Sequence, residues 1–459
     1  MNRQIVRAFV VLALLPNVLL GFVAAAAHTP RALVNLDYVA VFALDAFVRR
    51  GVTVVLMAIA LLLDIAFTVA PAFNFGPSEV VQAVAEIRNL SGRTIVVAVT
   101  VIGLIALAAL GIVLLRGRRV ERSGGPRQLA VALVFTVLVL GVDILNGSNA
   151  FTWRPRRLLA TDVSESMLVT RYSAPGTLPP TGKAMAATDG VRAEIARATE
   201  LGRWEGPTKI VVIVVEAMGA PRGASVGTLF SALAADSVSR RYETRTGTIP
   251  AFGSTTTGEI RALCGVARNH LSLLSPQADV RCLPHELRPF GFEAVALHGY
   301  NGSLFQRREW YPRVGFGRML FREELRANAR LPECGAVFHG VCDSTMARVV
   351  RAELKRAPGK RELIYWLTLS SHFPIDPRTG GSGAACESLG RFGKEREICA
   401  LWNALWPALQ GIAGLAADTT LPPAWYIIAG DHAPPQLFSD TTLWLQRRVP
   451  FMELRPRVR

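Results

Sequence analysis

Apolar residues are spread unevenly along this chain. Up to about residue 147 they form long, nearly uninterrupted runs, and from residue 208 they break into short β-branched runs separated by polar and helical stretches. Ile5 to Ala27 is one apolar stretch broken only by Arg7, Pro16 and Asn17. Gly51 to Ala70 and Thr94 to Leu115 are comparably apolar, although the first carries Asp64, and Gln128 to Leu145 follows the same pattern. Ala32 to Val48 is shorter and contains Asp37 and Asp45. Roughly 20 apolar residues cross a bilayer core as a helix. The pattern therefore predicts a transmembrane domain over 1–147, with spans near 5–27, 32–48, 51–70, 94–115 and 128–145. The small residues Ala24–Ala27 would suit a signal-peptide cleavage site, but the spans that follow predict an uncleaved first helix. Between Pro77 and Leu90, Val80, Val81, Val84 and Ile87 share one helical face and predict a short interfacial helix. Residues 148–207 read as a linker, with Pro175, Pro179 and Pro180 at its centre and a helix from Asp189 to Leu201.

In the second half, strands are expected at Ile210–Val215, Ala294–Leu297, Leu363–Leu369 and Trp425–Ala429, with a helical stretch at Ser225–Tyr242 between the first two. Continuous apolar runs alternating with helical segments indicate a parallel sheet covered on both faces. The expectation is a three-layer α/β domain over 208–459 behind a five-helix bundle. Several runs stop abruptly on residues able to bind a metal: Glu216 after the first strand, His298 and His372 after the next two, and Asp431-His432 after the last. Strands of a parallel sheet deliver such groups to its C-terminal edge.

Composition refines this picture. Lys and Arg number 51 against 35 Asp and Glu, a net charge of +16, and mean hydropathy is +0.31. The basic residues are mostly Arg and scattered, so no nucleic-acid partner is expected; anionic lipid head groups or substrates are the alternative attraction. Arg3 and Arg7 place the N-terminus in the cytoplasm, as does the cluster Arg116, Arg118, Arg119, Arg122 and Arg127 on its own side. Five spans then put the C-terminal domain outside, with Arg154, Arg156 and Arg157 a mild exception and Arg49-Arg50 in a turn of open sidedness. All six cysteines follow residue 260: Cys264, Cys282, Cys334, Cys342, Cys386 and Cys399. An even number confined to one domain predicts disulfides in an oxidising compartment, with sequence neighbours as the simplest pairing.

The candidate chemistry follows from residue types. The loop Gly253-Ser-Thr255-Thr-Thr-Gly-Glu259 opens a helix, whose N-terminal N–H groups can hold phosphate oxygens. Its hydroxyls are nucleophile candidates, and spacing alone leaves Thr255, Thr256 and Thr257 equal. Glu216, Asp431, His432 and a Thr oxygen can close one cation site.

With these motifs the chain resembles the lipoteichoic acid synthase and phosphoglycerol/phosphoethanolamine transferase branch of the alkaline phosphatase (sulfatase-like) superfamily. The resemblance implies Thr255 as nucleophile in a Gly-x-Thr-x-x-x-Glu loop. It implies Glu216, Thr255, Asp431 and His432 as ligands of one divalent cation, Mn2+ or Zn2+, with Mg2+ a third candidate. His298, Arg307 and Tyr311 match a head-group element, Ser370 to Pro374 brings His372 to the phosphate, and Gly340-x-x-Asp343 matches a further element. Substrate contacts are thus expected from His298, Tyr300, Phe305, Arg307, Asp343 and His372, with His298, Arg307 and His372 stabilising charge on phosphorus. Tyr300 and Phe305 stand where the synthases carry polar or Trp contacts, which leaves the head group open. The implied protein is a multi-pass enzyme of the bacterial cytoplasmic membrane with a periplasmic catalytic domain, a phospholipid donor and a glycan or lipid acceptor. A phosphodiesterase or sulfatase hydrolase is the first alternative, although no Cys-x-Pro-x-Arg or Ser-x-Pro-x-Arg element is present; an inactive binding or regulatory module of the envelope is the second.

Overall fold

The computed structural model describes residues 3–457 apart from 27–28, 30, 71–91 (save 75, 79–80 and 86), 118–123, 147–162, 167–185, 223–224, 252, 276–279, 329, 357, 376–383, 388, 390–395, 436–442 and 446. The expected interfacial helix at 77–90 and the proline-rich linker centre lie almost wholly outside the described residues. The chain divides into two compact units, an N-terminal one ending near residue 177 and a C-terminal one beginning at Leu178.

The N-terminal unit contains five apolar helices: α1 (Arg3–Ala26), α2 (Leu36–Asp45), α3 (Arg50–Val69), α4 (Gly92–Leu115) and α5 (Gly125–Asn146). A π-turn over Val10–Leu14 interrupts α1. Pro16 has no N–H to give to the ladder, and the Asn17 side chain donates to the Ala13 carbonyl instead, at 2.9 Å. Four of these helices are long and apolar enough to cross a membrane, and α2 is not. Its ten residues rise about 15 Å, roughly half of a 30 Å hydrocarbon core, so the span expected at 32–48 is a half-length helix. Polar anchors at both ends set its limits. Asn35 caps its start by accepting from the Asp37 N–H, and at its end Asp45 pairs with Arg116 and accepts from Thr53. Asp64, out of place in an apolar span, is fully buried in a bidentate pair with Arg31 at 2.7 and 3.0 Å; such charges in apolar bundles require a partner.

These contacts also order the ends of the bundle. Arg7 donates to the Leu115 carbonyl and Arg50 to that of Gly117, so Arg7, Arg50 and Arg116 share one end. At the other end the two-residue strand β1 (Val34–Asn35) pairs in parallel with β2 (Ser164–Glu165), whose first residues are held by Asp143 of α5.

The C-terminal unit is built on a seven-stranded mixed sheet of order β4-β11-β10-β3-β9-β5-β6. Its strands are β3 (Lys209–Val215), β4 (Tyr242–Pro250), β5 (Glu293–His298), β6 (Arg318–Leu320), β9 (Glu362–Leu367), β10 (Ala424–Gly430) and β11 (Arg448–Pro456), with the small hairpin β7 (Glu333–Cys334) and β8 (Gly340–Val341) outside it. All strands but β11 run in one direction. Every residue of β3 is buried because alternate side chains enter two cores. Val211, Ile213 and Val215 face α10 (Asp343–Arg356) and α11 (Arg396–Ala417); Ile210, Val212 and Val214 face α6 (Asp189–Leu201) and α7 (Thr255–Cys264). This is the expected three-layer arrangement. Helix α11 is itself apolar and of spanning length over Ile398–Ala417, yet it packs on the sheet.

The expected helix at Ser225–Tyr242 is instead three short turns, Val226–Leu229, Ser231–Leu233 and Asp236–Ser239, and Tyr242 already begins β4. Ser225 caps the first turn by accepting from the Thr228 N–H, and the second and third turns start without a side-chain cap.

Three disulfides join Cys264–Cys282, Cys334–Cys342 and Cys386–Cys399, the simple sequential pairing. The first pins the last residue of α7 to the N-cap of the Leu283–Leu287 turn. Replacing both Cys264 and Cys282 with Ala is expected to destabilise the C-terminal unit by about 2–4 kcal/mol, read as a lowered denaturant midpoint. An unchanged midpoint would show that this crosslink does not hold α7.

Candidate active site at the C-terminal edge of the sheet

Neighbouring strands β3, β10, β9 and β5 end side by side and deliver Glu216, Asp431-His432, the 368–372 segment and His298 to one edge. Directly after Glu216, Ala217 adopts a left-handed φ of 53°, which turns the chain sharply at the strand end. Its N–H donates to Asp431 Oδ1 at 2.8 Å, and the Glu216 N–H donates to the Thr368 hydroxyl.

Helix α7 starts at Thr255 and aims its N-terminus at this edge. Close approach is possible because residue 258 is glycine: a Cβ there would lie 2.6–2.7 Å from Asp431 Cβ and Cα. Arg261, one turn on, donates to the Gly430 and Asp431 carbonyls at 2.6 and 3.1 Å and ties the helix to the strand end.

Of the three consecutive threonines, Thr255 meets the strand-end residues. Its Oγ1 lies 3.2 Å from Glu216 Oε2 and 3.1 Å from His432 Nε2. The Thr256 hydroxyl instead contacts His270 Nδ1 at 3.0 Å, and Thr257 Oγ1 is buried without a hydrogen-bond partner among the described residues. Glu216, Asp431 and His432 bring one ligand atom each within 4.8 Å of one another, and all three are buried.

The chemistry of this set fits a cation. Asp431 Oδ1 is occupied by two backbone N–H groups, whereas Oδ2 is buried and accepts no hydrogen bond among the described residues. His432 Nδ1 faces the Ala433 carbonyl at 2.7 Å, which places the proton there and turns the Nε2 lone pair toward Thr255 and the two carboxylates. Burial and the nearby Asp431 carboxylate push the Glu216 carboxyl well above its usual range. Two carboxylates buried this close together are costly, and a divalent cation between them would offset that cost.

Around this centre stand the other residues the sequence singled out. His298 is buried with Nδ1 on the Leu367 carbonyl, and burial with the Arg307 charge holds its pKa well below 6.5. His372 contacts the Phe373 carbonyl and is held at about 4, chiefly by burial, with the neighbouring His432 and Arg307 charges adding to the shift. Arg307 begins α8 (Arg307–Val314) after the left-handed residues Phe305 and Gln306, and its guanidinium lies 5.4 Å from the centre of the Phe305 ring. Tyr300 is buried with Leu304 and Leu369 and meets Phe338 edge-on at 5.5 Å; Phe338 in turn stacks on His372 at 4.0 Å. Asp343 accepts from the Leu369 and Ser370 N–H groups and is held up at about 6 by burial against those bonds. Its carboxylate thus shapes the loop that carries His372.

Several residues that complete the site carry no role assignable from the sequence. Glu259, fully buried on α7, accepts from Arg307 Nε and Nη2 at 3.2 and 3.0 Å and from the Tyr311 and Tyr365 hydroxyls. Ser371 donates to the Glu216 carbonyl. His270 lies between the Phe305 and Trp310 rings, at about 3 through burial and the Arg307 charge. Position four after Thr255 was a signal for Glu259, since residues i and i+4 share a helix face.

His270 and His372 are neutral when folded, whereas a free imidazole titrates near 6.5. With folded pKa values below the unfolded one, protons favour the unfolded chain. Their stabilising contribution is intact above about pH 6.5 and is lost as pH falls toward 4. The denaturation midpoint should fall across that window and fall less in His270→Gln; a flat midpoint would contradict the buried neutral imidazoles.

Residues 209–386 match the family model described as Sulfatase. No curated protein matches the chain in sequence. Similar solved structures include the lipoteichoic acid synthase LtaP from Listeria monocytogenes, at 13% identity over 53% of this chain and 64% of that chain, TM-score 0.38. The Streptococcus pyogenes phosphoglycerol transferase GacH is 16% identical over 59% and 78% of the two chains, TM-score 0.38. The zinc complex of the C-terminal periplasmic domain of EptC from Escherichia coli is 11% identical over 55% and 74%, TM-score 0.36. The matched region spans less than two thirds of the Listeria chain. The stretch that matches the Sulfatase model lies within the C-terminal unit. The chain joins it to a bundle of apolar helices, the arrangement the sequence motifs indicated.

Proposed function

We propose that this protein is a membrane-anchored phospho-head-group transferase, moving phosphoglycerol or phosphoethanolamine from a phospholipid to an envelope glycan or lipid through a phosphothreonine on Thr255. One observation carries the reading: a single hydroxyl, at a helix N-terminus, lies against a buried Glu-Asp-His set fit for one cation.

Glu216, Asp431, His432 and Thr255 Oγ would hold a divalent cation such as Mn2+ or Zn2+, which supplies Lewis acidity, lowering the hydroxyl pKa and neutralising phosphoryl oxygens. The protein groups do the rest. Thr255 Oγ forms a bond to phosphorus, the bond from phosphorus to the diacylglycerol oxygen breaks, and diacylglycerol departs with a proton. An acceptor hydroxyl then attacks the same phosphorus, freeing Thr255. Arg307 and the first-turn N–H groups of α7 meet the charge on the phosphoryl oxygens; His298 and His372, whose Nδ1 protons go to backbone carbonyls, would donate to them from Nε2 only in the protonated form. Tyr300 and Phe305 wall the head group, while Asp343 holds the His372 loop.

Transfer rather than hydrolysis is favoured by the bundle, which suits a lipid donor. With Arg7, Arg50 and Arg116 at one end, the excess of positive charge makes that end cytoplasmic. The β1–β2 pair then lies at the opposite face, so the chain leaves the bundle on the periplasmic side, where disulfides persist.

Labelled phosphatidylglycerol and phosphatidylethanolamine, supplied in proteoliposomes with envelope glycan extract, test this. Label should move to an acceptor; release to water would instead mark a hydrolase, and no turnover a binding module. A strong chelator should stop the reaction, and Mn2+ or Zn2+ should restore it. Turnover that survives complete chelation would remove the cation from the reading.

A further inference from the structure

A polar cavity of about 680 Å³ is lined by Arg326, Arg330, Leu331, Glu333 and His339. Its walls are α9 (Arg322–Asn328), the segment that follows it, and the β7–β8 hairpin. Glu333 organises it, accepting from Arg322 Nε at 3.0 Å and His339 Nδ1 at 2.9 Å and lying 3.4 Å from Arg326. Burial works against the Glu333 charge, but His339 and the two arginines outweigh it and hold the carboxyl below its usual range. The nearby acids Glu323 and Glu324 are engaged by Arg308. The cavity and its edge therefore hold three guanidiniums, those of Arg322, Arg326 and Arg330, against the one carboxylate of Glu333.

The cavity adjoins the candidate active site. Strand β8 of the hairpin lies on the residue after His298, with the Val341 N–H on the Gly299 carbonyl at 2.8 Å. Side chains cannot intervene there, because a Cβ on Gly299 would sit 2.5 Å from the Val341 carbonyl oxygen. The hairpin tip puts Phe338 on His372 and Tyr300, while its neighbour His339 faces the cavity. The Arg322 N–H donates to the Tyr300 carbonyl. The hairpin, stapled by Cys334–Cys342, thus presents Phe338 to His372 and the adjacent His339 to the cavity.

We propose that this cavity is an anion site that docks a phosphate or carboxylate of the acceptor, with Arg326 and Arg330 as its main contacts. The assignment to the acceptor rests on the transferase reading; the anion site itself does not. Guanidinium groups recognise such oxyanions through paired donors. An acceptor held here by its anionic group would have a hydroxyl within reach of the phosphoryl group on the other side of the hairpin.

Binding of inorganic pyrophosphate to the full-length Thr255→Ala protein, in phosphatidylcholine nanodiscs with chelator present, tests the site without turnover. Calorimetry should show one site that weakens with added salt. The double substitution R326E/R330E should weaken it by about tenfold or more, and Arg307→Gln should not change it. No binding, or binding lost in Arg307→Gln and kept in R326E/R330E, overturns the proposal. Adding phosphatidylglycerol to the discs distinguishes the sources. Competition with pyrophosphate would mean that the donor lipid's head group occupies the cavity and would overturn its assignment to the acceptor; undiminished binding supports that assignment. Failure of head-group transfer would leave this measurement untouched, so the two readings fall separately.

Discussion

Thr255→Ala will lower turnover by at least about 10³-fold, the scale on which removal of a covalent nucleophile is felt, while the protein stays folded and inserted. The side chain is small and almost buried, and its only described polar contacts are with Glu216 and His432. Losing a methyl and a hydroxyl there should cost little stability. In the parent protein, donor supplied without acceptor should leave phosphate on Thr255, detectable as a mass increase on the peptide that contains it. Thr256→Ala and Thr257→Ala provide the control. The Thr256 hydroxyl is committed to His270, and Thr257 Oγ1 packs where a Gly253 Cβ would lie, 2.7 Å away. Neither faces the ligand set, so both variants should retain most of the activity. Phosphate on residue 256 or 257 would mean that α7 presents a different hydroxyl, and full activity of Thr255→Ala would remove the covalent route.

That assignment shows how far the sequence could be read. The strand-end ligands were visible because fully buried parallel strands appear as unbroken apolar runs. A carboxylate or imidazole at the end of such a run is costly to bury unless it binds something. Spacing alone does not separate Thr255 from its neighbours, although the family resemblance does; the physical reason is the packing of α7 against Asp431, a contact between residues about 170 positions apart. The edge strand β4 is not legible in the sequence for a different reason. Four consecutive residues of β4, Glu243 to Thr246, are exposed, so it carries no period-2 signal, and Tyr242 reads equally well as the end of a helix. In the bundle, the length of α2 is set by Asn35, Asp45 and their partners Asn17, Thr53 and Arg116. Hydropathy registers apolar length and is blind to such distant pairs. The end of the bundle at which Arg50 lies, unreadable in the sequence, is shared with Arg116 through one hydrogen bond from Arg50 to the Gly117 carbonyl. The cysteines paired as neighbours because each pair spans a short local loop of 8, 13 or 18 residues.

The second large effect is expected at Glu259, which touches neither the cation ligands nor any other group that meets substrate except Arg307. Its carboxylate takes four hydrogen bonds in a fully buried pocket, two from Arg307 and one each from Tyr311 and Tyr365. Burial alone would disfavour the Arg307 charge; Glu259 and the adjacent tyrosines more than offset it, so the guanidinium stays protonated. Burial and the Glu259 charge also keep both phenols protonated as donors. Glu259→Ala strands a buried guanidinium, and loss of one partner from such a pair costs about 3–5 kcal/mol. Replacing both charges, Glu259→Leu with Arg307→Met, should be less destabilising than Glu259→Ala alone, since no uncompensated charge remains. Activity separates position from stability. Glu259→Gln keeps volume and one acceptor but turns an amide donor toward the guanidinium, so Arg307 should leave its place over Phe305. If Arg307 stabilises the phosphoryl charge, kcat should fall in Glu259→Gln with KM little changed, and Glu259→Asp should recover part of kcat. A Glu259→Ala protein within about 1 kcal/mol of the parent, or a Glu259→Gln enzyme with normal kcat, would show that the nucleophile helix does not set the position of the arginine.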